Sequence, residues 1–152
     1  MKEKQIKGSF SGRVINELKM ALPSLSVNEG TARAVVAAFC SQLNPTATEI
    51  ADIKCAVSEA VTNSIVHGYK FEMGIIYIGV KYYHDRTVVI EITDKGCGIE
   101  DVKLAMTPLF TTDKTGERSG MGFSVMQTFM DKLEVRSSPQ KGVRILMEKK
   151  LK

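Results

Sequence analysis

Hydrophobic and polar positions alternate along the stretch NELKMALPSL, near the start of the chain. The apolar positions of this stretch are Leu18, Met20 and Leu22. A period of two is typical of a β-strand with one buried face. Pro23 follows and favours the edge or the end of a sheet. The pattern therefore predicts a first strand at a sheet edge.

Two amphipathic helices are predicted next. The stretch NEGTARAVVAAFCSQL has Asn28 in position to cap its first turn. Its apolar stripe comprises Ala32, Val35, Val36, Phe39, Cys40 and Leu43. The stretch NPTATEIADIKCAVSEAVTNSIVHGY has Thr46 or Thr48 as its cap, and Gly68 ends it. The stripe of this second helix, the longest that we expect, comprises Ile50, Ile53, Val57, Val61 and Ile65.

The second half of the chain contains two predicted hairpins with a loop and a helix between them. The first hairpin is formed by GIIYIGVKYY and RTVVIEITD, and the second by KLEVRSS and VRILMEK, which the turn PQKG joins. The stretch from Lys95 to Ser119 is irregular, and GMGFSVMQTFMDK reads as a helix. Loops of this length in small domains are usually functional. The order of elements predicts an α+β fold with two layers, in which helices cover one face of a mixed sheet.

Composition favours a single domain. A chain of 152 residues that is 43% hydrophobic can bury about two-thirds of its unfolded surface. We assign residues 16–152 to one domain and residues 1–15, which show no clear pattern, to an N-terminal extension or arm. No apolar run is long enough to cross a membrane, and the start lacks the apolar stretch of a signal peptide. We therefore expect a cytoplasmic protein without membrane contact.

Charge and cysteine content exclude two further classes of protein. The net charge is +4, but the 21 basic residues are dispersed among 17 acidic ones. No basic stripe with interleaved aromatic residues is present, so direct binding of nucleic acid is not expected. The three cysteines are widely spaced and odd in number, which fits neither a disulfide framework nor a zinc site.

Candidate chemistry begins on the second helix, where Glu59, Asn63 and His67 follow one another at a spacing of four residues. Glu59 and Asn63 lie almost opposite the apolar stripe, so an ordinary solvated polar face is the alternative. His67 lies at the helix end, where a role in capping carbonyl groups is favoured over catalysis. This stretch alone does not decide between a site and a solvated face.

Two glycine-containing stretches change that balance. In DKGCGI, Asp94 ends a strand, and Gly96 and Gly98 allow the backbone to approach a ligand closely. In RSGMGF, Gly120 and Gly122 lie at the start of a helix, where free backbone N–H groups and the helix dipole favour phosphate. The three stretches together indicate a nucleotide site.

The side chains suit such a ligand. A carboxylate such as Asp94 can accept a hydrogen bond from an exocyclic amine, which selects adenine over guanine. Asn63 offers an uncharged oxygen that suits Mg²⁺, an ion that keeps several waters and bridges phosphate oxygens. Glu59 could take a proton from an attacking hydroxyl or water.

These stretches resemble the motifs of a known superfamily. VSEAVTNSIVHGY, DKGCGI and ERSGMGF are similar to the N, G1 and G2 boxes of the Bergerat-type (GHKL) ATP-binding fold. With PLFTT, they most closely resemble the small bacterial anti-sigma factors that are also serine-protein kinases, above all those of sporulation. The resemblance extends from about residue 16 to the C-terminus. It implies a Bergerat-type two-layer α/β sandwich.

The resemblance also implies a function. Members of this family hold a sigma factor inactive and use ATP to phosphorylate a serine of an anti-anti-sigma partner, and they form homodimers. The exposed backbone of an edge strand near residues 18–22 offers a symmetric pairing surface. Alternatives that stay open are the related kinase of the general stress response and a binding module that nucleotide switches with little catalysis. A sensor-kinase ATP-binding domain is disfavoured, because the phospho-acceptor segment is absent.

Site residues follow from the resemblance by position. Glu59 corresponds to the catalytic base, Asn63 to the Mg²⁺ ligand and Asp94 to the residue that reads adenine. Gly96 and Gly98 would line the base pocket. The lid over ATP corresponds to about residues 108–119. The remaining nucleotide-binding positions, in the lid and at the phosphate end, are Thr112, Arg118, Ser119, Gly120, Met121 and Gly122.

Three further features have two readings each. Glu29 and Arg33 are either ordinary surface charges of the first helix or, as the resemblance implies, contacts for a partner protein. Cys97 is either a small filler or a reactive thiol, and the filler is favoured. Val143 occupies a position where family members usually have a threonine, whose hydroxyl joins the aspartate and a water around adenine. We expect the loss of one polar contact, worth about 0.5–1.5 kcal/mol unless another group replaces it.

Overall fold

The alternating pattern of the sequence becomes the two faces of a β-sheet. The computed structural model describes residues 12–107 and 122–152. In this part of the chain the strands are β1 (Val14–Pro23), β2 (Ile75–Tyr83), β3 (Thr87–Asp94), β4 (Lys132–Ser137) and β5 (Val143–Lys150). They form one sheet in the order β1-β2-β3-β5-β4. The predicted position of the first strand at a sheet edge is confirmed.

Helices connect these strands. They are α1 (Asn28–Cys40), α2 (Ala47–Asn63), α3 (Val102–Ala105) and α4 (Gly122–Phe129), with a 3₁₀ turn at Ser41–Leu43 and a π-helical turn at Ser64–Gly68. No helix within the two described ranges is long and apolar enough to cross a membrane. The predicted α+β class is confirmed.

The sheet is antiparallel and not mixed as predicted. All four pairings between the described strands are antiparallel. Strands β3 and β4 run in the same direction, as the helical connection between them favours. The tight turn after β4, however, returns the chain as a hairpin, so β5 lies between β3 and β4 and pairs with both.

The core lies between one sheet face and the helices. Fully buried side chains of the sheet include Ile76, Ile78, Val80, Ile90, Ile92, Ile145 and Met147. They pack with residues of α1, α2 and α4, which include Val36, Ile53, Val57, Val61 and Met126. The opposite face includes charged side chains that pair with one another, as in the 2.9 Å ion pair between Arg144 and Glu91. A sheet with one face in water explains the period of two in the sequence.

Strand β1 begins earlier than predicted. Val14 already pairs with Tyr83, and the register shifts between Val14 and Asn16. Residues 14 and 15, which we assigned to the arm, therefore belong to the sheet. The irregularity at Ile15 interrupts the alternation, so the pattern alone did not reveal this start. Residues 1–11 lie outside the described part, and the division of the chain into arm and domain stays a prediction.

The start of α2 is a capping box. The Thr46 hydroxyl accepts a hydrogen bond from the Glu49 N–H (3.1 Å), and Glu49 Oε1 accepts one from the Thr46 N–H (2.9 Å). Thr46, and not Thr48, is therefore the cap. Asn28 is not the cap of α1: it is the first helical residue, and its side chain donates to the Pro23 carbonyl (2.9 Å). That bond holds the β1–α1 connection instead.

Candidate nucleotide site

The end of α2 changes from α-helical to π-helical geometry. The α-helix ends at Asn63, and the next five residues form a π turn in which the Tyr69 N–H donates to the Ser64 carbonyl (2.8 Å). π turns inside helices occur frequently at functional sites. Sequence periodicity predicted a helix as far as Gly68 but not its change of type. The turn contains Ser64 and Gly68, both of which approach the end of strand β3.

Asp94 lies at that end and is almost fully buried, with 2% of its surface exposed. Its Oδ1 accepts a hydrogen bond from the Gly96 N–H (2.9 Å). Its Oδ2 is buried and has no hydrogen-bond partner among the residues that the structure describes. A carboxylate oxygen that is buried without a donor costs free energy. Asp94 Oδ2 is therefore an acceptor to which a ligand can donate.

Burial also shifts the proton equilibrium of Asp94. Loss of solvation raises its pKa, while hydrogen bonds from the Gly96 N–H, the Ser64 hydroxyl and the Val143 N–H lower it, and burial outweighs the three bonds. Those bonds favour the charged form, which is the form that only accepts hydrogen bonds. Ser64 was not predicted as a site residue, because nothing in the sequence shows that the π turn faces β3.

Glycine is required where the helix end meets Asp94. A Cβ atom added at Gly68 would lie 2.8 Å from Asp94 Oδ2, and one added at Gly96 would lie 2.2 Å from the Gly68 carbonyl oxygen. At Gly98 the backbone has φ +76°, and an added Cβ would lie 2.0 Å from the Ser138 carbonyl oxygen. The close approaches at Gly96 and Gly98 are thus to the protein's own backbone. That these two glycines line a base pocket stays a prediction.

The loop after β3 is held from two sides. The Cys97 N–H donates to the Gly68 carbonyl (2.9 Å), and the Cys97 carbonyl accepts from the Gln140 N–H in the β4–β5 turn (2.6 Å). The Cys97 thiol donates to the His67 carbonyl (3.1 Å). These bonds give Cys97 a structural role in fixing the loop, in line with the filler reading. The roles of the Cys97 thiol and the His67 side chain in a reaction stay untested.

Tyr69 supports the same loop from the other side. Its hydroxyl donates to the Ile75 carbonyl (2.5 Å) and accepts from the Lys95 N–H (2.8 Å). A Cβ atom added at Gly74 would lie 2.3 Å from the Tyr69 ring, so the ring packs directly on that glycine. Sequence reasoning did not select Tyr69. Its position directly after the predicted helix end was the available signal.

Glu59 lies next to the start of α4, and neither Glu59 nor Asn63 is fully exposed to solvent. Both are half-buried. A Cβ atom added at Gly122, the first residue of α4, would lie 3.3 Å from Glu59 Oε2. The helix whose start was predicted to bind phosphate thus begins beside the predicted base. The start of α4 lies against Glu59, so this half-buried side chain does not belong to an ordinary solvated face.

Asn63 has a buried polar atom without a partner. Its Nδ2 makes no hydrogen bond within residues 12–107 and 122–152. A rotation of the amide by 180° exchanges Nδ2 and Oδ1, which would place a metal-ligating oxygen there. In the described part of the chain no group of three or more His, Cys, Asp or Glu side chains could hold a metal ion. The residues therefore fit Mg²⁺ only in the mode in which phosphate and water supply most ligands.

The remaining predicted site residues divide into two groups. In the described part of the chain α4 begins at Gly122, and the role of this residue at the phosphate end stays a prediction. The others, Thr112, Arg118, Ser119, Gly120 and Met121, lie outside the described residues. At the far end of α4, Lys149 Nζ donates to the Phe129 carbonyl (2.7 Å) and pairs with Asp52 of α2 (3.3 Å). Helix α4 is therefore tied to α2 and β5 at its C-terminus.

Glu29 and Arg33 form an ion pair of 3.5 Å on α1. Glu29 also accepts a hydrogen bond from the Ser58 hydroxyl, on α2 directly before Glu59. Both partners of the ion pair are half-buried, so they are not isolated surface charges. Their role in contacting a partner protein stays a prediction.

Val143 faces Asp94 across the pairing of β3 with β5. Its side chain is 3% exposed and belongs to the hydrophobic core. The position that carries a threonine in the resembled family is thus apolar here, at the carboxyl group that is predicted to read adenine.

Comparison with known proteins agrees with this geometry. The family described as "Histidine kinase-like ATPase domain" matches residues 22–149. An anti-sigma F factor of Clostridium novyi (strain NT) is 58% identical over 139 residues, which are 90% of this chain and 96% of that protein. An anti-sigma F factor of Caldanaerobacter subterraneus subsp. tengcongensis is 57% identical over 134 residues, which are 88% of this chain and 93% of that protein.

A solved structure shares the fold. The crystal structure of the RsbU and RsbW domains of Rv1364c from Mycobacterium tuberculosis superimposes with a TM-score of 0.63. The alignment covers 90% of this chain and 32% of that chain, at 16% sequence identity. At this identity the likeness concerns the fold alone.

Proposed function

We propose that this chain, which belongs to the histidine kinase-like ATPase family and within it to the anti-sigma F factors, is an ATP-dependent anti-sigma factor and serine-protein kinase. It sequesters a sporulation-type sigma factor in the cytoplasm and phosphorylates a serine of an anti-anti-sigma partner. The observation that carries the proposal is Asp94, whose buried Oδ2 lacks a hydrogen-bond donor among the described residues. Adenine has an exocyclic amine that supplies this donor.

The other side chains have roles that follow from their positions. Asn63 would hold Mg²⁺ through its amide oxygen, and the start of α4 at Gly122 would receive the phosphates. ATP would supply the phosphoryl group, and Mg²⁺ would supply positive charge. Glu59 accepts the proton that the partner's serine hydroxyl loses. Its carboxylate is close to the first residue of α4, which supports this role.

Protein partners are proposed from the family and from exposed features of the fold. The relatives named above are anti-sigma F factors, which supports binding of a sigma factor. Glu29 and Arg33 on α1 are proposed to contact the partners. The edge strand β1 is proposed to pair in a homodimer. Light scattering across micromolar concentrations should give a dimer mass, and a constant monomer mass would contradict the homodimer.

The decisive experiment combines the chain with labelled ATP, Mg²⁺, and the sigma and anti-anti-sigma candidates encoded beside it. We expect label on one serine of the anti-anti-sigma protein and nucleotide-dependent co-elution of the sigma factor. Co-elution without transfer would favour the alternative of a nucleotide-switched binding module. Transfer to a protein of the general stress response would favour that paralogue. Absence of ATP binding would overturn the proposal.

A further inference from the structure

The pairing of strands β2 and β3 ends directly before Asp94. Its last pair joins Tyr77 with Thr93, so the next pair of the same type towards the site would join Ile75 with Lys95. The structure describes both of these residues, but they are not paired in the sheet. The ladder of backbone hydrogen bonds is therefore interrupted at the edge of the candidate site.

The backbone of Ile75 is nevertheless directed at β3. In the preceding residue, Gly74, the N–H donates to the Ser24 hydroxyl (2.9 Å) and the carbonyl accepts from the Ser24 N–H (2.9 Å). Ser24 directly follows β1, so both backbone groups of Gly74 point to the β1 side of β2. Successive residues of a strand direct their backbone groups to alternate sides. The Ile75 carbonyl therefore points to the β3 side, where the register would place Lys95.

A side chain takes the place of the missing hydrogen bond. The Tyr69 hydroxyl donates to the Ile75 carbonyl (2.5 Å) and accepts from the Lys95 N–H (2.8 Å). One oxygen atom thus lies between two backbone groups that the register would otherwise bring together. The tyrosine ring packs on Gly74, where an added Cβ would lie 2.3 Å away, and this contact holds the hydroxyl in place. Tyr69 therefore keeps the end of β3 apart from β2.

Beyond this point the chain turns from the sheet to the end of α2. The Gly96 N–H donates to Asp94 Oδ1 (2.9 Å), and the Cys97 N–H donates to the Gly68 carbonyl (2.9 Å). The N–H group directly before these two is the one that Tyr69 binds. Both oxygens of a carboxylate belong to one planar group, so the bond at Oδ1 also sets the direction of Oδ2. Oδ2 is the buried atom without a partner among the described residues.

We propose that Tyr69 is a positioning residue for Asp94 in base recognition. Its hydroxyl keeps Lys95 away from β2, and the N–H of the next residue, Gly96, can therefore orient the Asp94 carboxylate towards the ligand's exocyclic amine. Without the hydroxyl, the Ile75 carbonyl and the Lys95 N–H can bond to each other, which draws the following N–H group away from Asp94. The inference rests on the proposed function, since it concerns the same adenine site.

The first test needs no nucleotide. Tyr69→Phe removes the hydroxyl and retains the ring. In the free protein, amide hydrogen exchange measured by NMR should become at least about fivefold faster at Cys97, because the loop is no longer held at its start. Tyr82→Phe is the matched control, since it also removes a bonded hydroxyl, which donates to Gln42 (2.7 Å) at the far end of β2. This control should leave the exchange at Cys97 unchanged.

The second test measures the binding of two ligands by titration calorimetry. ADP carries the exocyclic amine, and purine riboside diphosphate lacks it. Tyr69→Phe should weaken ADP binding about 3- to 10-fold, the effect of one misdirected hydrogen bond. Binding of purine riboside diphosphate should change less than about twofold, because this ligand does not use the amine contact. A merely structural role of Tyr69 would not distinguish the two ligands, and Tyr82→Phe should change neither affinity.

The outcomes separate this inference from the proposed function. If the parent protein does not prefer ADP over purine riboside diphosphate, the assignment of Asp94 to adenine fails, and the inference fails with it. If the parent has that preference and Tyr69→Phe retains it in full, only the role of Tyr69 is wrong. Unchanged exchange at Cys97 in Tyr69→Phe, or equal weakening of both ligands, would also overturn the inference.

Discussion

Both ends of helix α2 include buried polar atoms, but only at one end do these atoms have hydrogen-bond partners among the described residues. At its start, Glu49 is buried, and both of its carboxylate oxygens accept hydrogen bonds, from the Thr46 N–H (2.9 Å) and the Lys152 N–H (2.9 Å). At its end, Asn63 Nδ2 and Asp94 Oδ2 are buried without partners among the described residues. Satisfied polar groups hold a fold together, whereas unsatisfied ones cost stability until a ligand pairs with them.

This contrast supports the proposed position of the nucleotide site at the end of α2. The start of α2 also includes the ion pair of Asp52 with Lys149, in which the lysine is bonded to the C-terminus of α4. The same two helices therefore meet in a fully paired cluster at one end. At the other end they meet beside Glu59 and Gly122, one helical turn before Asn63, whose Nδ2 has no partner among the described residues. The first end should govern stability and the second should govern binding.

The largest effect is expected from Glu59→Gln. The amide keeps the shape of the side chain beside Gly122 but cannot accept a proton, so phosphate transfer to the partner should fall about 10²- to 10⁴-fold. Affinity for ATP should change less than about twofold, because Asp94 and Asn63 are untouched. Transfer is measured with labelled ATP and affinity by calorimetry. Glu72→Gln, an exposed acid in the loop before β2, is the matched control. Full phosphate transfer by Glu59→Gln would contradict the role of Glu59 as the catalytic base.

Asp94→Asn should separate binding from stability. An amide can place a donor where the adenine amine needs an acceptor, and a charged hydrogen bond is lost, so ADP affinity should fall roughly 10²-fold. Without nucleotide, the variant should be at least as stable as the parent at neutral pH, since burial of the charged carboxylate raises its pKa. Calorimetric titration measures the ADP affinity, and thermal unfolding measures the stability. A variant that keeps ADP affinity would contradict the adenine role.

The same carboxylate gives the parent protein a pH dependence. A raised folded pKa means that the folded chain holds this proton more tightly than the unfolded chain. The contribution of Asp94 to stability therefore falls as pH rises from its ordinary value of 3.8 through the higher folded value. Asp94→Asn should remove that part of the dependence.

The sequence predicted the interactions between residues that are close together in the chain, but not those between distant elements. Periodicity predicted the strands and helices, and the spacing of Glu59 and Asn63 indicated one face of α2. The cap of α2 is a local feature, so the sequence narrowed it to Thr46 or Thr48, and the structure identifies Thr46. The close approach of Gly68 to Asp94 joins two elements that are far apart in the sequence, through a π turn that no local pattern specifies. The Ser58–Glu29 bond is missed for the same reason.

Two glycine substitutions test how tightly the chain packs at the end of α2. Gly68→Ala should destabilise the fold by about 1–3 kcal/mol, because its Cβ would lie 2.8 Å from Asp94 Oδ2 and the carboxyl group must move. ADP affinity should fall as well. Gly30→Ala is the matched control within α1, where the added Cβ meets only the Arg33 guanidinium at 3.8 Å. Alanine favours the helix, so this variant should gain about 0.5–1 kcal/mol. Urea unfolding measures both, and equal effects at the two sites would contradict the tight packing at Gly68.

The smallest effect, and one confined to stability, is expected from Glu49→Gln. The substitution weakens the capping box and the bond to the Lys152 N–H, which should cost about 0.5–2 kcal/mol at neutral pH. ADP affinity should not change, because Glu49 lies at the start of α2.

The contribution of Glu49 to stability also depends on pH. Hydrogen bonds, first of all from the Thr46 N–H, lower the pKa of Glu49. Its contribution is therefore present above the ordinary value of 4.5 and is lost as pH falls through the lower folded value. The difference in unfolding free energy between parent and variant should shrink on acidification, opposite in sign to the Asp94 contribution. Urea unfolding at a series of pH values checks this, and a difference that grows as pH falls would show that Glu49 does not stabilise the fold as a charged cap.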